Sequence, residues 1–576
     1  MKKILIILVA AIATGADTMA VPVSPEEALS RAVTTSAARL GAKAGGYTLR
    51  HTCKTDGRNA VYLFESPAAD GFIMAPADDA LPAVLGYGKA EICDETGNFA
   101  PGFEYWLDYM TRQVAYAAEH PDNVRPRREQ AEREPIEPLC DTRWNQSYPY
   151  NKFCPTVDER RSVTGCVATA MAQVMKYHNW PETGNGYNEY SWQGQTLSMD
   201  FSSQEFNWDQ MLNEYLNVFD GTAMRIDATE EQQDAVALLM QAAGYSVNMG
   251  YSPEASGAVS MRIAQSLGEY FRYDRSLRYL QRDFYTLEDW EEIIYNSLKE
   301  DGPVIYDGQA NIGGHSFVCD GYEREGYFHF NWGWGGMSDG YFLLDALDPI
   351  NQGIGGADSG FNYMQDIIVN IRPDRTGDSV WSPIMVCSGG LTAQYTRKTG
   401  IVKITSMLYN AGPGEIETGY IGVRFTDRIN ENTEPEYVIF QFEELPVMYG
   451  FNSLEFELPQ LQPGQYDMTP VYTTVADEDA EFKTVATPLG ATASYSFLYT
   501  DSGKALGFAP TEDFRASAID SVTDDPNLEE IGSDCEYFTL QGVRCAGKAA
   551  GQPRPDLPAG IYIIKSGSET DKIIVR

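Results

Sequence analysis

The stretch at residues 164–181 constrains the fold more than any other, because it has the pattern of a buried helix that begins at a cysteine. Apolar residues recur along it at helical spacing, alanines lie between them, and a Trp-Pro pair ends the pattern. Cys166 would lie in the first turn, where unpaired backbone amides and the helix dipole favour a negative charge. Such a position lowers the pKa of a thiol and makes it a nucleophile. Position alone leaves open, with equal weight, that Cys166 is a small apolar core residue.

The length, net charge and cysteine count of the chain limit its possible architecture and partners. Its 576 residues predict three or four domains, at about 150 residues for each domain. The net charge of -39 argues against nucleic acids and anionic membranes as partners, since these bind to basic surfaces. The nine cysteines form no metal-ligand CxxC pair and are odd in number, so at least one thiol should stay free, and no metal or cofactor is expected.

The N-terminal part of the chain combines an export signal with a small folded unit. Residues 1–20 have the basic start, apolar run and small-residue end of a signal peptide, so we expect a secreted or cell-surface protein. Residues 21–120 alternate strand-like runs with turns and end in an amphipathic helix, which predicts a small α+β domain. Residues 121–138 are charged and rich in proline, and form either a plain interdomain linker or an exposed, cleavable maturation site.

Along the rest of the chain, the sequence pattern changes from a mixture of helices and strands to strands alone. In residues 139–373 most helices precede the strands, which favours an α+β domain over a doubly wound sheet. Residues 380–505 alternate in strand fashion and predict a β-sandwich. An acidic linker at 511–534 leads to a β module at 535–576. The helices are predicted at 101–118, 167–177, 230–243, 258–270 and 287–299, and strands at 60–65, 71–75, 303–306, 316–320, 327–331, 340–344, 401–408, 420–425, 454–458 and 466–472.

A second stretch, 149 residues beyond Cys166, supplies a possible catalytic base. A lone cysteine with a distant histidine and asparagine is the pattern of a cysteine hydrolase. Two of the five histidines of the chain, His51 and His120, lie outside the central domain. His178 is on the same helix as Cys166, about 18 Å away at 1.5 Å per residue, and so is beyond hydrogen-bond reach.

Two histidines remain as candidates for the catalytic base, and their sequence neighbours distinguish them. His329 lies between two phenylalanines inside a strand, as a packed core histidine would. His315 follows two glycines at the start of a strand, and we assign the base to it. Residues 323–326 predict a hairpin that returns Asn331 to the neighbourhood of His315. Asn331 could then fix the tautomer of the imidazole, although the run around it also suits a glycine-rich turn with packed indoles.

Three motifs together closely resemble the streptopain family of secreted cysteine peptidases, which belongs to the papain clan. They read GCVATAMAQVMKYH at 165–178, GGHSFV at 313–318 and HFNWGWGGMSDG at 329–340. The resemblance implies a papain-like catalytic domain with a helical part and an antiparallel sheet, preceded by an inhibitory propeptide at 21–120. The overall fold class is then α+β, with a small α+β propeptide and a C-terminal all-β sandwich.

The resemblance also implies a role for individual residues. Cys166 would be the nucleophile, His315 the general base and Asn331 the residue that orients it. Gln146, in the motif RWNQSYPYN at 143–151, matches the glutamine that donates to the oxyanion in this family. The substrate-binding residues implied are Gly314, Ser256, Gly257, Trp332 and Trp334, although Gly257 stands where the family has a serine.

We therefore expect a secreted cysteine endopeptidase made as a zymogen, with peptide or protein substrates, its own propeptide as an intramolecular inhibitor and a preference for an apolar P2 residue. Two alternatives remain open: a transglutaminase-like thiol acyl transferase, and a surface binding protein on a catalytically silent scaffold. The last module, at 535–576, resembles sorting or surface-attachment modules of the type IX secretion system. A terminal β-hairpin that completes the sandwich explains the same residues.

Overall fold

The periodic segments of the sequence form helices and strands close to the predicted positions. The structure, a computed structural model, describes residues 21–40, 46–66, 71–120, 124–125, 133–219, 224–310, 313–346, 348–349, 365–430, 433–477, 480–514, 535–539, 544–548, 560–566 and 569–575. The predicted signal peptide, much of the predicted linker at 121–138 and most of the acidic segment at 511–534 lie outside these residues.

The helices carry the capping and packing signals that their sequences contain. At the start of α4, Thr229 and Gln232 form a reciprocal capping box, and Thr286 caps α6 through its side chain. The sequence analysis did not anticipate α1. In chain order the helices are α1 Pro25–Leu40, α2 Pro101–Glu119, α3 Cys166–His178, α4 Glu230–Ser246, α5 Met261–Tyr270 and α6 Leu287–Glu300.

The strands follow in four groups. The N-terminal domain and linker contain β1 Thr48–Thr55, β2 Arg58–Ser66, β3 Gly71–Pro76, β4 Gly86–Gly88 and β5 Val124–Arg125. The central domain contains β6 Thr156–Val157, β7 Arg160–Arg161, β8 Tyr187–Trp192, β9 Gln195–Asp200, β10 Asn217–Phe219, β11 Met224–Ile226, β12 Arg278–Gln281, β13 Val304–Ala310, β14 Gly313–Glu323, β15 Tyr327–Asn331, β16 Gly340–Leu343, β17 Asp348–Pro349 and β18 Gln365–Val369. The next domain contains β19 Met385–Cys387, β20 Ala393–Thr396, β21 Ile401–Ile404, β22 Leu408–Asn410, β23 Ile416–Asp427, β24 Glu436–Leu445, β25 Gly450–Phe451, β26 Leu454–Glu457, β27 Gly464–Thr473, β28 Lys483–Thr484, β29 Tyr495–Tyr499 and β30 Ala505–Pro510. The last residues form β31 Cys535–Thr539, β32 Arg544–Lys548, β33 Gly560–Ser566 and β34 Glu569–Val575.

One sheet joins the N-terminal and central domains. Its ten strands run in the order β1-β2-β3-β4-β16-β15-β14-β13-β18-β12. The two domains meet where Tyr341 of β16 pairs with Tyr87 of β4. Residues 21–120, predicted as a small α+β domain, extend this sheet and share a hydrophobic core with the central domain.

The two faces of this sheet bury different cores. One face packs against α2 and α6, with residues such as Tyr306 and Phe317. The other face packs against the helical part that contains α3, α4 and α5, with residues such as Ile305 and Val318. Adjacent residues of a strand point to opposite faces, so β13 and β14 contribute alternately to both cores. The helix that carries Cys166 is therefore held against the strand that carries His315.

The C-terminal third is all β, as predicted. Three antiparallel sheets of three, three and six strands enclose one core between residues 385 and 505. The last residues form a four-stranded antiparallel sheet in the order β32-β31-β33-β34. Among the described residues, no helix is long and apolar enough to cross a membrane.

Candidate active site

Cys166 is the first residue of α3, as the sequence predicts. Gly165 precedes it with φ 86°, and a Cβ on this glycine would lie 2.8 Å from the Ser256 carbonyl oxygen. Only glycine therefore fits this turn. The helix is buried from Val167 to Met175, which makes the position of the thiol rigid.

Strand β14 passes beside the sulfur atom. The Sγ atom of Cys166 lies 4.0 Å from the carbonyl oxygen of Gly314, and the backbone amide of Ser316 points at the same sulfur. His315 lies between these two residues in the chain. Within the described part of the chain, the His315 ring has no hydrogen-bond partner, so no Cys166–His315 hydrogen bond is formed in this structure.

The pKa of the thiol is shifted in the direction opposite to the prediction. Burial raises the pKa of Cys166, and the backbone amides of Ser316 and Val167 lower it by less. Burial also lowers the pKa of His315. The thiol and the imidazole are thus both favoured in their neutral forms, because burial disfavours the charged form of each more than its neighbours stabilise it.

Asn331 does not orient His315 in this structure. Its side-chain oxygen accepts from Gln173 Nε2 at 3.2 Å and from the Gly333 amide at 3.0 Å, and its Nδ2 donates to the Thr142 carbonyl at 2.7 Å. These bonds occupy the amide on the α3 side of the sheet. The role predicted for Asn331 therefore remains a prediction, and this arrangement does not perform it.

Gln146 lies next to the start of α3. Its carbonyl oxygen accepts from the Thr164 amide at 3.1 Å, two residues before Cys166, and only 8% of its surface is exposed. The Asn145 side chain accepts from the Gln146 amide at 2.5 Å and fixes the local turn. This position suits a donor to an oxyanion beside Cys166, although the structure contains no substrate that would test the role.

The residues predicted to bind substrate divide into two groups. Ser256 donates to the Val163 carbonyl at 2.7 Å, and a Cβ on Gly257 would meet nothing within 4 Å, so this loop borders an open space near Cys166. Trp332 is buried with 2% exposed and donates its indole N–H to the Ser338 carbonyl, so it faces no open cleft here. Trp334 is half-buried.

The histidines excluded by the sequence lie away from the thiol. His178 ends α3 and contacts Tyr177 and Tyr273. His329 forms an ion pair with Asp320, with 2.6 Å between Nδ1 and Oδ1. His329 lines a cavity of about 670 Å³ that is also lined by Tyr87 and Lys89 of the N-terminal domain, and Cys166 is absent from its lining.

Three contributors to the site escaped the sequence analysis. Gln173 lies seven residues after Cys166, two helical turns along the same face, and this spacing could have revealed it. Thr142 donates to Gln173 Oε1 at 3.0 Å. Ser316, directly after His315, is 4% exposed and could be placed only once the strand register was known.

The N-terminal domain covers the strands of the site from the opposite face. A Cβ on Gly308, the register partner of His315, would lie 2.1 Å from the ring of Tyr105 on α2. Trp106 of α2 packs edge-on against Phe330, with 4.9 Å between ring centroids. The predicted linker is also less free than expected, because Ile136 pairs with Tyr322 of β14.

A thiol at the start of a buried helix, with a histidine-bearing strand beside it and a glutamine at the helix entry, is the arrangement that a cysteine hydrolase requires. Comparison with known sequences identifies the family. The sequence model described as the Peptidase C10 family matches residues 144–342, and the one described as Spi protease inhibitor matches residues 20–114. The chain belongs to the Peptidase C10 family, whose members include streptopain.

The similarity covers about half of the chain. Streptopain of Streptococcus pyogenes is 32% identical over 326 residues, which are 53% of this chain and 78% of streptopain. The thiol protease/hemagglutinin PrtT of Porphyromonas gingivalis is 32% identical over 330 residues, 54% of this chain but only 37% of that protein. The solved prointerpain A fragment of Prevotella intermedia is 30% identical, with a TM-score of 0.48 over 57% of this chain and 99% of the fragment.

These findings confirm the predicted family, fold class and enzyme class: the chain is a cysteine peptidase with an inhibitory propeptide domain. They favour peptidase chemistry over the transglutaminase-like and catalytically silent alternatives. The predicted domain boundaries and the roles of single residues remain predictions.

Proposed function

We propose that this chain is a secreted cysteine endopeptidase made as a zymogen. The observation that carries the proposal is the position of the Cys166 sulfur, at the start of a buried helix and 4.0 Å from the carbonyl oxygen of Gly314, next to His315. A nucleophile held this rigidly beside a strand that can bind an extended peptide is the minimum that acyl transfer from a peptide requires.

The reaction would proceed through an acyl-enzyme. His315 takes the thiol proton, the Cys166 thiolate attacks the scissile carbonyl carbon, and the tetrahedral oxyanion accepts hydrogen bonds from the Cys166 amide and the Gln146 side chain. The protonated His315 then gives its proton to the leaving amine as the C–N bond breaks. Water attacks the thioester with His315 as base, which releases the acid product and the free thiol.

The contacts of the propeptide explain why the precursor would be inactive. Tyr105 of α2 packs against Gly308, the register partner of His315, and Trp332 is covered by Gly102 and Phe103 of the same helix. With the imidazole unpaired and Asn331 bonded elsewhere, the neutral thiol is a weak nucleophile. Departure of the propeptide after cleavage between about residues 125 and 138 would allow the His315 side chain to approach Cys166.

The substrate is proposed to bind along Gly314 and the loop at 252–257. Gly314 is exposed, and the space around Gly257 has room for a side chain. We expect an apolar P2 residue, by analogy with the family. The last β module is proposed to act in secretion or surface attachment, which the N-terminal signal sequence supports.

The test compares the wild-type precursor with Cys166→Ala. We expect wild-type chain to release a new N-terminus between residues 125 and 138 and to cleave peptides, and the Cys166→Ala chain to do neither. Cys140→Ala, which removes another half-buried thiol of the same domain, is the matched control and should retain both activities. Peptide cleavage by purified Cys166→Ala protein would refute the assignment.

A further inference from the structure

Two buried aspartates lie side by side beneath the nucleophile. Asp307 of β13 is the register partner of Asp366 on β18 and of Ser316 on β14. Residues paired across neighbouring strands point to the same face, and Ile305, two residues before Asp307, belongs to the core that contains α3. Both carboxyl groups therefore face the helix of Cys166, and only 1% of Asp307 and 4% of Asp366 is exposed.

The hydrogen bonds of the two aspartates leave one oxygen of each facing the other. Asp307 Oδ1 accepts from the Ser316 hydroxyl, and Asp366 Oδ2 accepts from the Tyr279 hydroxyl at 2.9 Å. The remaining atoms, Asp307 Oδ2 and Asp366 Oδ1, are buried. Asp307 also accepts a hydrogen bond from the Ser260 hydroxyl, and the two carboxyl groups are hydrogen-bonded to each other. Two carboxyl groups can form such a bond only when one of them carries a proton.

No cation compensates the two carboxyl groups within the described part of the chain. The titratable groups on the same face are Cys166 of α3 and Tyr279 of β12, and Tyr105 of α2 interacts electrostatically with Asp366 from the other face of the sheet. Burial raises the pKa of Asp307 to about 6 and that of Asp366 well above the ordinary value. Near neutral pH the two aspartates together therefore carry one negative charge, because two adjacent like charges resist ionising together.

Ser316 connects the aspartates to the reacting atoms. Its hydroxyl donates to Asp307, its backbone amide points at the Cys166 sulfur, and it follows His315 directly. The charge of Asp307 also acts on the thiol and opposes its ionisation. Protonation of the aspartates can thus affect the Cys166 thiol in two ways: it changes the charge near the sulfur, and it changes the position of the strand at 314–316.

We propose that Asp307 and Asp366 are positioning residues, a proton-sharing pair that holds the strand at 314–316 against Cys166 and sets the pH at which its thiol ionises. The inference rests on the proposed function of Cys166 and assigns the pair no contact with substrate. Uptake of a second proton as the pH falls through about 6 makes the pair neutral. The charge that opposes the thiolate then disappears, so protonation of the pair offsets part of the loss of thiolate as the pH falls.

The experiment measures the rate of Cys166 alkylation by iodoacetamide as a function of pH in the full chain. Peptide mapping by mass spectrometry separates Cys166 from the other eight of the nine cysteines. The double variant Asp307→Asn/Asp366→Asn removes the charge and keeps two groups of the same shape. Its alkylation midpoint should fall by about one pH unit, the effect of one charge on a neighbouring partly screened group.

Two single variants serve as controls. Asp366→Asn keeps the charge of Asp307 and supplies an amide N–H in place of the shared proton, so its midpoint should stay close to that of the wild type. Asp283→Asn removes a half-buried aspartate whose pKa is also raised to about 6, next to Arg282 rather than Cys166, and should also leave the midpoint unchanged.

An unchanged alkylation midpoint in a folded double variant overturns the proposal. A slower alkylation with the same midpoint also overturns it, because that result indicates that the two aspartates act only through packing. If thermal unfolding shows that the double variant does not fold, Asp307→Asn replaces it. This variant removes the carboxylate whose charge acts on the thiol, so the midpoint should again move to lower pH, and no movement overturns the proposal. Wild-type peptide hydrolysis is measured in parallel: its absence refutes the proposed function, whereas hydrolysis with an unmoved midpoint refutes only this inference.

Discussion

Trp106 of α2 offers the sharpest test of how the propeptide is held. Its side chain is fully buried, and its indole packs edge-on against Tyr306, Phe317 and Phe330 of the peptidase sheet. The indole Nε1 is buried and has no hydrogen-bond partner among the residues that the structure describes. Replacing Trp106 with alanine should therefore weaken the docking of the propeptide and leave the isolated mature peptidase untouched, because the mature chain lacks this residue after the proposed cleavage.

The size of the effect follows from the buried surface. A tryptophan buries on the order of 200 Å², which at about 25 cal/mol per Å² contributes about 5 kcal/mol. The unpaired buried N–H subtracts about 1–2 kcal/mol. We therefore expect Trp106→Ala to destabilise the precursor by about 3–4 kcal/mol, within the usual range for truncation of a buried aromatic residue. Trp106→Phe keeps most of the ring and removes the unpaired N–H, so it should cost about 1 kcal/mol or less.

The assay needs two backgrounds. In the Cys166→Ala precursor, which cannot cut itself, chemical denaturation compares Trp106→Ala with Trp106→Phe and with Arg112→Ala. Arg112 forms an exposed pair with Asp108 on the same helix, so its loss should cost well under about 1 kcal/mol. With Cys166 intact, a loss of 3–4 kcal/mol raises the undocked population by at least about 100-fold, so activity should appear much earlier. Unchanged denaturation and unchanged latency in Trp106→Ala would refute the shared core as the basis of inhibition.

Two further predictions concern the oxyanion donor and acid stability. Gln146→Ala should lower kcat of the mature enzyme by about 100- to 1000-fold with little change in KM; a change confined to KM in peptide kinetics would contradict the assigned role. His178→Phe should reduce acid sensitivity, because burial lowers the pKa of His178 from 6.5 to about 4. Protonation therefore opposes folding, and the stability present above pH 6.5 is lost as the pH falls toward 4, by up to about 3 kcal/mol. Denaturation of the two Cys166→Ala proteins at several pH values measures this, and equal acid sensitivity would show that the reasoning is wrong.

The local pattern of apolar residues was sufficient to predict individual helices and strands. The 3.6-residue period predicted α2 and α3 to within a residue or two, and β15 at residues 327–331 was predicted without error. These segments place apolar residues on one face and end at glycine, proline or a capping residue, so their signals are local. The position of Cys166 at the start of α3 followed for the same reason.

The sequence contains no comparable signal for contacts between segments that are far apart in the chain. The pairing of Tyr87 with Tyr341 joins segments far apart in the sequence, and nothing in either strand identifies its partner. The strand register that brings Asp307 beside Asp366 and Ser316 also cannot be predicted from the sequence alone. The pKa of Cys166 was predicted in the wrong direction because helix position was judged without burial, which outweighs the backbone amides in this precursor.

The continuous sheet makes maturation a change of sheet topology as well as a chemical step. Strand β16 is interior while β4 lies beside it, with Leu343 donating to the Leu85 carbonyl at 2.9 Å. Departure of the propeptide converts β16 into an edge strand and exposes backbone donors and acceptors that were paired. This new edge spans only Gly340–Leu343, and so short an edge limits the length over which another chain can pair with it. The activated peptidase thus gains an exposed edge that is too brief to act as a good template for aggregation.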